Sequence, residues 1–347
     1  VASTLHGQGG AATAPWHGVS CGVLAGMLWG LVFVAPLALP DYGPLALALG
    51  RYLAFGVVAA AIALWQVDRL RRLDRADWIE ALRLAAVGNL LYYLLLAAAI
   101  QRSGGPLATL IIATLPLVIP LAAAIARVDG NPGQSLRGMG LPMLAIVAGL
   151  LLVYRQEWEK LPASMASEDP RNRTALAQGA LLGLGALACW TWYPIRNALW
   201  LQRRRHLTAQ AWATAQGLAT FGLAGVASLV VVASLWLDPA RHSPDPWRLL
   251  WGPNPLSYIG AMLLLGLLAS WLGTWLWNHA STRLPAGTAG MLIVFEGIFA
   301  LVYVYAWREE IPDAVSLSGI TLLIAGVLWG LRRATHRDPA AGGVQPD

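Results

Sequence analysis

Charge is scarce in this sequence. Of 347 residues only 12% are Asp, Glu, Lys or Arg, where an ordinary soluble domain carries roughly 25%. Twenty-four basic and 18 acidic side chains cannot cover the surface of a water-soluble protein of this length, which excludes a soluble enzyme. Lysine occurs once, at Lys160. Cysteine occurs twice; Cys21 and Cys189 both lie inside apolar runs, each a small buried hydrophobe, and no disulfide or metal framework can be built from them. There is no Gly-rich phosphate loop, no metal-ligand spacing and no nucleophile elbow. The expectation is a protein without ATPase machinery, catalytic site, metal or cofactor, driven by gradients or by a partner chain.

What is abundant points to a bilayer. Hydrophobic residues make up 57% of the chain, with 36 Gly and 17 Trp. This is the opposite of a disordered composition, and Trp gathers at membrane interfaces while Gly favours packed transmembrane helices. The net charge of +6 does not indicate a nucleic-acid partner, because the basic residues sit in short loops between apolar runs, where they act as topology signals.

A bilayer core is spanned by about 20 apolar residues in a helix. That ruler picks out ten runs: 19–39, 44–65, 79–100, 106–126, 138–154, 176–200, 209–237, 256–280, 285–307 and 314–331. The first lacks a basic leader and is long enough to span, so it reads as a helix rather than a cleaved signal. The second, fourth, sixth and eighth loops and the C-terminal tail hold thirteen Lys and Arg, the other loops eight. Both termini are therefore expected in the cytoplasm.

The halves resemble each other. Ser135-Leu136-Arg137-Gly138 opens the fifth run, and Ser316-Leu317-Ser318-Gly319 opens the tenth, 181 positions later. Pro106 and Pro285 stand at the starts of the fourth and ninth. Trp29-Gly30 has a looser echo in Trp190. Since five is odd, a second copy would enter the membrane from the opposite side, the inverted-repeat design of secondary transporters. The expected fold is an all-α membrane protein of ten transmembrane helices, two inverted five-helix repeats around a central cavity. Its parts are a disordered tail over 1–15, a first repeat over 16–155, an extracytoplasmic linking loop over 156–174, a second repeat over 175–331 and a disordered tail over 332–347.

Polar and aromatic residues deep in the runs are the informative ones. Glu296 lies about halfway along the ninth; a carboxylate at that depth costs roughly 2.5–3.5 kcal/mol on insertion scales. It either serves a cavity, as coupling or charge partner, or is protonated and bonds a neighbouring helix. Arg51 either snorkels to the interface or clamps a carboxylate; Arg83 and Arg196 read as interfacial anchors. Trp65, Trp78, Trp158, Trp200, Trp247, Trp251 and Trp307 fit an interfacial belt. Trp29, Trp190, Trp192, Trp271 and Trp275 do not. In the eighth run Trp271, Trp275 and Asn278 share a face that His279 extends; Asn89, Tyr92 and Tyr93 make one in the third, and Trp190, Tyr193 and Asn197 one in the sixth. Helix packing would explain any one of these aromatics, but their polar company points to an amphipathic pocket. Thr114 and Tyr303 could complete its lining.

With these residues in view the chain resembles the drug/metabolite transporter superfamily, specifically its ten-helix exporters built from two EamA-type repeats. The resemblance rests on Trp29-Gly30, Arg51-Tyr52, the run Phe295-Glu296-Gly297-Ile298-Phe299-Ala300, Arg308-Glu309-Glu310, Gly319 and Gly326, and covers roughly 18–331. The family usually has Glu-Pro where this chain has Glu296-Gly297. Pro116 is kept in the first repeat, whose closing acidic residue is lacking; Asp129 is the nearest. A phosphorylated substrate would call for several deep cations. A cationic drug would suit Glu296 and aromatic walls, and a neutral amino acid would suit them equally, with Arg51 on its carboxylate. The resemblance to bacterial aromatic amino-acid exporters favours the amino acid, aromatic or bulky neutral preferred, carried by alternating access across the bacterial inner membrane by a monomer. The alternatives are a multidrug or small-metabolite exporter and, from another class, a membrane scaffold or intramembrane enzyme.

Overall fold

A computed structural model of the chain describes residues 15–103, 105–126, 140–155, 170–204, 206–237, 252–309 and 311–335. Backbone in lipid must satisfy its own hydrogen bonds, and helices are the regular elements among the described residues. Helix α1 is Pro15–Gly30, continued by a 3-10 turn at Leu31–Phe33 and a short helix at Ala35–Ala38. Helix α2 is Pro44–Ala63, and α3 runs through Arg75–Leu84, a π-helical turn at Ala85–Leu91 and Tyr92–Ser103. Helix α4 is Gly105–Ile112 followed by Leu115–Ile125, and α5 is Gly140–Val153. In the second half α6 is Pro170–Arg203 and α7 is Ala209–Leu237. Helix α8 runs through Pro255–Leu265, a π-helical turn at Gly266–Leu272 and Gly273–Ser281. Helix α9 is Ala286–Leu292 and Val294–Arg308, and α10 is Ala314–Thr335.

Seven of these are long and apolar enough to cross a membrane; Leu115–Ile125, Gly140–Val153 and Ala314–Gly330 are apolar but shorter. The ten expected runs are thus helical, though not uniformly of full span length. Helix α6 takes in 170–174 of the expected linking loop, and α10 continues past 331 into the expected tail. The rest of that loop, almost all of both tails, Asp129, Ser135–Gly138, Trp158, Trp247 and Trp251 lie outside the described residues.

Local chemistry explains the ends. Proline stands in the first turn of α2 and of α8, where its missing N–H costs nothing. Asp74 caps α3 through a reciprocal box: the Asp77 amide donates to its carboxylate at 2.8 Å, and the Asp74 amide donates to Asp77 at 3.1 Å. Helix α9 closes on Glu309 in the left-handed region, φ 55°.

Helix α5 packs along α10, α3 along α6, α2 along α7, and α4 against α9; α1 lies against α8 and α9, and α6 against α4. Helix α2 also meets α8, and α7 meets α3. Exchanging each helix for the one five places on maps these pairs onto one another, although the contacts of α6 with α8 and α9 have no counterpart of similar size. The two π-helical turns obey the same relation: Ala85 and Gly266, like Leu91 and Leu272, are 181 positions apart. The α1–α9 contact is a backbone-to-backbone one. A Cβ on Gly26 would sit 2.9 Å from the Glu296 amide nitrogen, and one on Gly30 2.8 Å from that of Ala300. Only glycine lets the two backbones approach this closely.

Candidate functional site

Helix α9 breaks at Ile293 and restarts at Val294, and α4 breaks between Ile112 and Leu115. A cavity of about 300 Å³ lies at these breaks, lined by Phe33, Leu96, Pro116, Tyr154, Glu296 and Gly297 among others. Its other walls are apolar, and Glu296 is the one charged side chain among the described lining residues. The restart puts Glu296 in the first turn of a helix, where the helix dipole favours an anion. Its Oε2 is buried and has no hydrogen-bond partner among the described residues. The Arg51 guanidinium lies within electrostatic range of it.

Arg51 is tied to helix α8 and to the ring beside it. Its Nε donates to Ser270 Oγ at 3.0 Å, and its guanidinium stands 5.4 Å from the centre of the Tyr52 ring. The Tyr52 hydroxyl donates to the Asn89 carbonyl at 3.2 Å, and the Asn89 side chain donates to Thr220 Oγ1 at 2.8 Å. Asn89 and Ser270 belong to the two π-helical turns, so each widened turn supplies a polar contact to this layer.

Beside it the aromatics stack. Trp190 lies between Tyr92 and Tyr193, ring centres 4.7 and 5.1 Å apart and nearly parallel. Trp29 meets the Trp190 edge at 5.7 Å and tilts on Trp277 at 5.3 Å; Tyr93 meets Tyr52 edge-on at 6.2 Å. The indole N–H groups of Trp190, Trp275 and Trp277 are buried without a partner among the described residues.

Other expected residues are committed to the scaffold. Asn278 is fully buried; its carbonyl accepts from Asn197 at 2.9 Å and its amide donates to the Ala209 carbonyl at 3.3 Å. Asn197 accepts in turn from Trp212 and Gln216, at 2.8 and 3.0 Å, and the Tyr193 hydroxyl donates to Gln216 at 2.7 Å. Trp271 donates to Thr214 at 3.1 Å and packs with Tyr52 and Phe55 between α2 and α7. Trp275 stacks on Trp271 at 5.8 Å, and His279 meets Trp275 edge-on while its Nδ1 lies 2.8 Å from Arg283. Thr114 donates to the Ile111 carbonyl at 2.6 Å, closing the α4 break, and lines a second cavity of about 310 Å³ between α4 and α5. Tyr303 donates to the Met27 carbonyl at 3.1 Å, tying α9 to α1. The structure therefore brings Tyr92, Trp190 and Tyr193 into one stack with Trp29 at its edge. Of the expected site residues, Glu296 is the one on the described lining of the first cavity and Thr114 the one on that of the second.

A second polar cluster escaped sequence reasoning. Asp77 and Glu80 on α3 are buried, at 0% and 1% exposure. Arg196 binds Glu80 through two nitrogens, one of them 3.0 Å from Oε2, an ion pair that the expectation of an interfacial anchor did not include. Arg83, 3.5 Å from Glu80, keeps its side chain largely in the open. Trp200 donates to Asp77 at 3.1 Å, His206 lies 3.2 Å from it, and Arg204 reaches Asp74 at 2.7 Å. The Asp77 amide, with help from Arg204, holds the Asp74 carboxyl below the usual carboxylate range. The available signal was the spacing of Asp74, Asp77 and Glu80, three residues apart on one helix face.

A helical bundle that crosses the membrane and holds a cavity around a lone carboxylate is the architecture of a multi-pass membrane transporter. The chain belongs to the EamA-type transporters of the drug/metabolite transporter superfamily. Residues 16–155 match the EamA-like transporter family. The chain is 40% identical over 315 residues to the inner membrane protein YtfF of Escherichia coli (strain K12), covering 91% of this chain and 95% of that one. It is 32% identical over 83 residues, 24% of this chain and 28% of the other, to a probable terminal-alkyne amino-acid exporter of Streptantibioticus cattleyicolor. A crystal structure sharing 16% identity superposes with a TM-score of 0.64 over 92% of this chain and 98% of its own, which establishes a common fold.

Proposed function

We propose that this transporter exports amino acids, with aromatic or bulky neutral side chains preferred, across the bacterial inner membrane by alternating access. The observation that carries the reading is Glu296 on the wall of an otherwise apolar cavity, with one buried carboxylate oxygen unpartnered and Arg51 within its electrostatic reach. The carboxylate takes the ammonium group, Arg51 attracts the substrate carboxylate, and the aliphatic walls and neighbouring rings take the side chain. Glu296 is also the residue through which a proton gradient couples. Similarity to a relative named as an amino-acid exporter supports the substrate class.

Ten crossings in two inverted repeats fit the helix pairs that map onto one another and the π-helical turns 181 positions apart. The excess of basic residues in the even-numbered loops assigns both termini to the cytoplasm. With the termini on that side, the lining residues Ile100, Tyr154 and Leu301 would face the extracytoplasmic half, which fits an outward-facing state of a monomer containing its whole pathway. The relative in Escherichia coli, named as an inner membrane protein, supports the location.

The test is uptake of labelled tryptophan, phenylalanine, threonine and alanine into liposomes holding the purified protein, with and without an imposed proton gradient. Saturable uptake of the aromatic amino acids is expected. In Glu296→Gln the gradient dependence should disappear. Uptake no greater than into empty liposomes removes the amino-acid reading. One observation favours a second reading: Glu296 lines the cavity and Arg51 does not, which suits an organic cation without a carboxylate. Cationic dyes are therefore the competing substrates to include.

A further inference from the structure

We propose that Gly297 sets the size limit of the cavity: by having no side chain it leaves the space beside Glu296 that receives the bulk of the substrate. Glycine is a poor choice inside a helix and is retained where something requires it. Two common requirements fail here. Gly297 is not in the left-handed region; among the described residues the one glycine with positive φ is Gly252. Nor does packing call for it, because a Cβ on Gly297 meets no atom within 4 Å. The contrast with the other side of the same helix is sharp, since Cβ atoms on Gly26 and Gly30 would run into the α9 backbone. Gly26 and Gly30 thus fix where Glu296 stands, while Gly297 borders the cavity itself. A side chain at 297 would project into that space with nothing to displace.

This inference deepens the proposed function and uses its substrates, but it has a readout that does not depend on them. In liposomes, uptake of alanine and tryptophan is compared for the native chain, Gly297→Ala, Gly297→Val and Gly297→Leu. The ratio of tryptophan to alanine uptake should fall stepwise along the series and at least tenfold in Gly297→Leu. Equal loss of both substrates already in Gly297→Ala would mean that the glycine serves as a hinge and would overturn the proposal. Unchanged tryptophan uptake in Gly297→Leu would overturn it as well. A native chain that takes up no amino acid defeats the amino-acid reading alone. The space is then probed with Gly297→Cys in a chain carrying Cys21→Ala and Cys189→Ala. A small water-soluble methanethiosulfonate should modify the thiol quickly and a bulky one at least tenfold more slowly. No reaction with the small reagent, or equal rates with both, would count against a size-limited space at 297.

Discussion

Asn197 on α6 donates its side-chain amide to the Asn278 carbonyl on α8 at 2.9 Å, and both residues are fully buried. Asn197 also accepts from Trp212 and Gln216, so its removal orphans more buried groups than removal of Asn278 does. A buried polar group left without its partner costs about 1–3 kcal/mol. Asn197→Leu should therefore melt at a lower temperature in detergent than Asn278→Leu, and both below the native protein. The reverse order would show that the network is not organised around Asn197.

Acid should weaken the protein in part through two helix starts. Asp74 accepts from the Asp77 amide, and Asp313 accepts from the Ser316 amide at 2.5 Å; both carboxyls are held below their ordinary value. A carboxyl whose folded pKa lies below an unfolded value of about 3.9 stabilises above that pH and loses its contribution as pH falls through the folded pKa. Melting temperatures followed from pH 6 downward should decline less steeply below about pH 4 in Asp74→Asn/Asp313→Asn than in the native chain. Parallel curves would rule out this contribution.

The α1–α9 seam has no room for a methyl group. Gly30→Ala would place a Cβ 2.8 Å from the Ala300 amide nitrogen, forcing the helices apart. Overpacking of this kind costs typically 1–3 kcal/mol. A drop in melting temperature is expected, with a smaller one for Ala at 297, where the space is open. Equal melting of the two variants would contradict the packing described.

Hydropathy alone located the helices, because a lipid-facing helix must be apolar over its whole length and the signal is long. It did not reveal the π-helical turns or the breaks at Ile293 and after Ile112, since one surplus or missing backbone bond leaves the apolar run unchanged. Helical spacing put Trp271, Trp275 and Asn278 on one face with His279 extending it. The rings of Trp271, Trp275 and His279 do meet, but Asn278 bonds Asn197 and Ala209. Spacing says nothing about which neighbour a face meets: Trp271 packs toward α2 and α7. Glu296 and Arg51 stood out because charge is costly in lipid; the structure sets Glu296 on the cavity wall and ties Arg51 to α8. The apolar wall of the cavity, Leu96 and Phe33 for example, carries no signal that separates it from lipid-facing positions. The cluster around Asp77 and Glu80 was hidden for the opposite reason, since charges at a helix end look like ordinary solvent-facing residues.

Each π-helical turn holds one residue more than an α-helix would fit into the same length. A residue is worth about 100° of rotation in a helix of 3.6 residues per turn. In α3 the segment beyond the turn begins with Tyr92 and Tyr93, so the surplus residue sets the direction from which Tyr92 meets the Trp190 ring. An unbroken α-helical run through the same stretch would turn both tyrosines about 100° away.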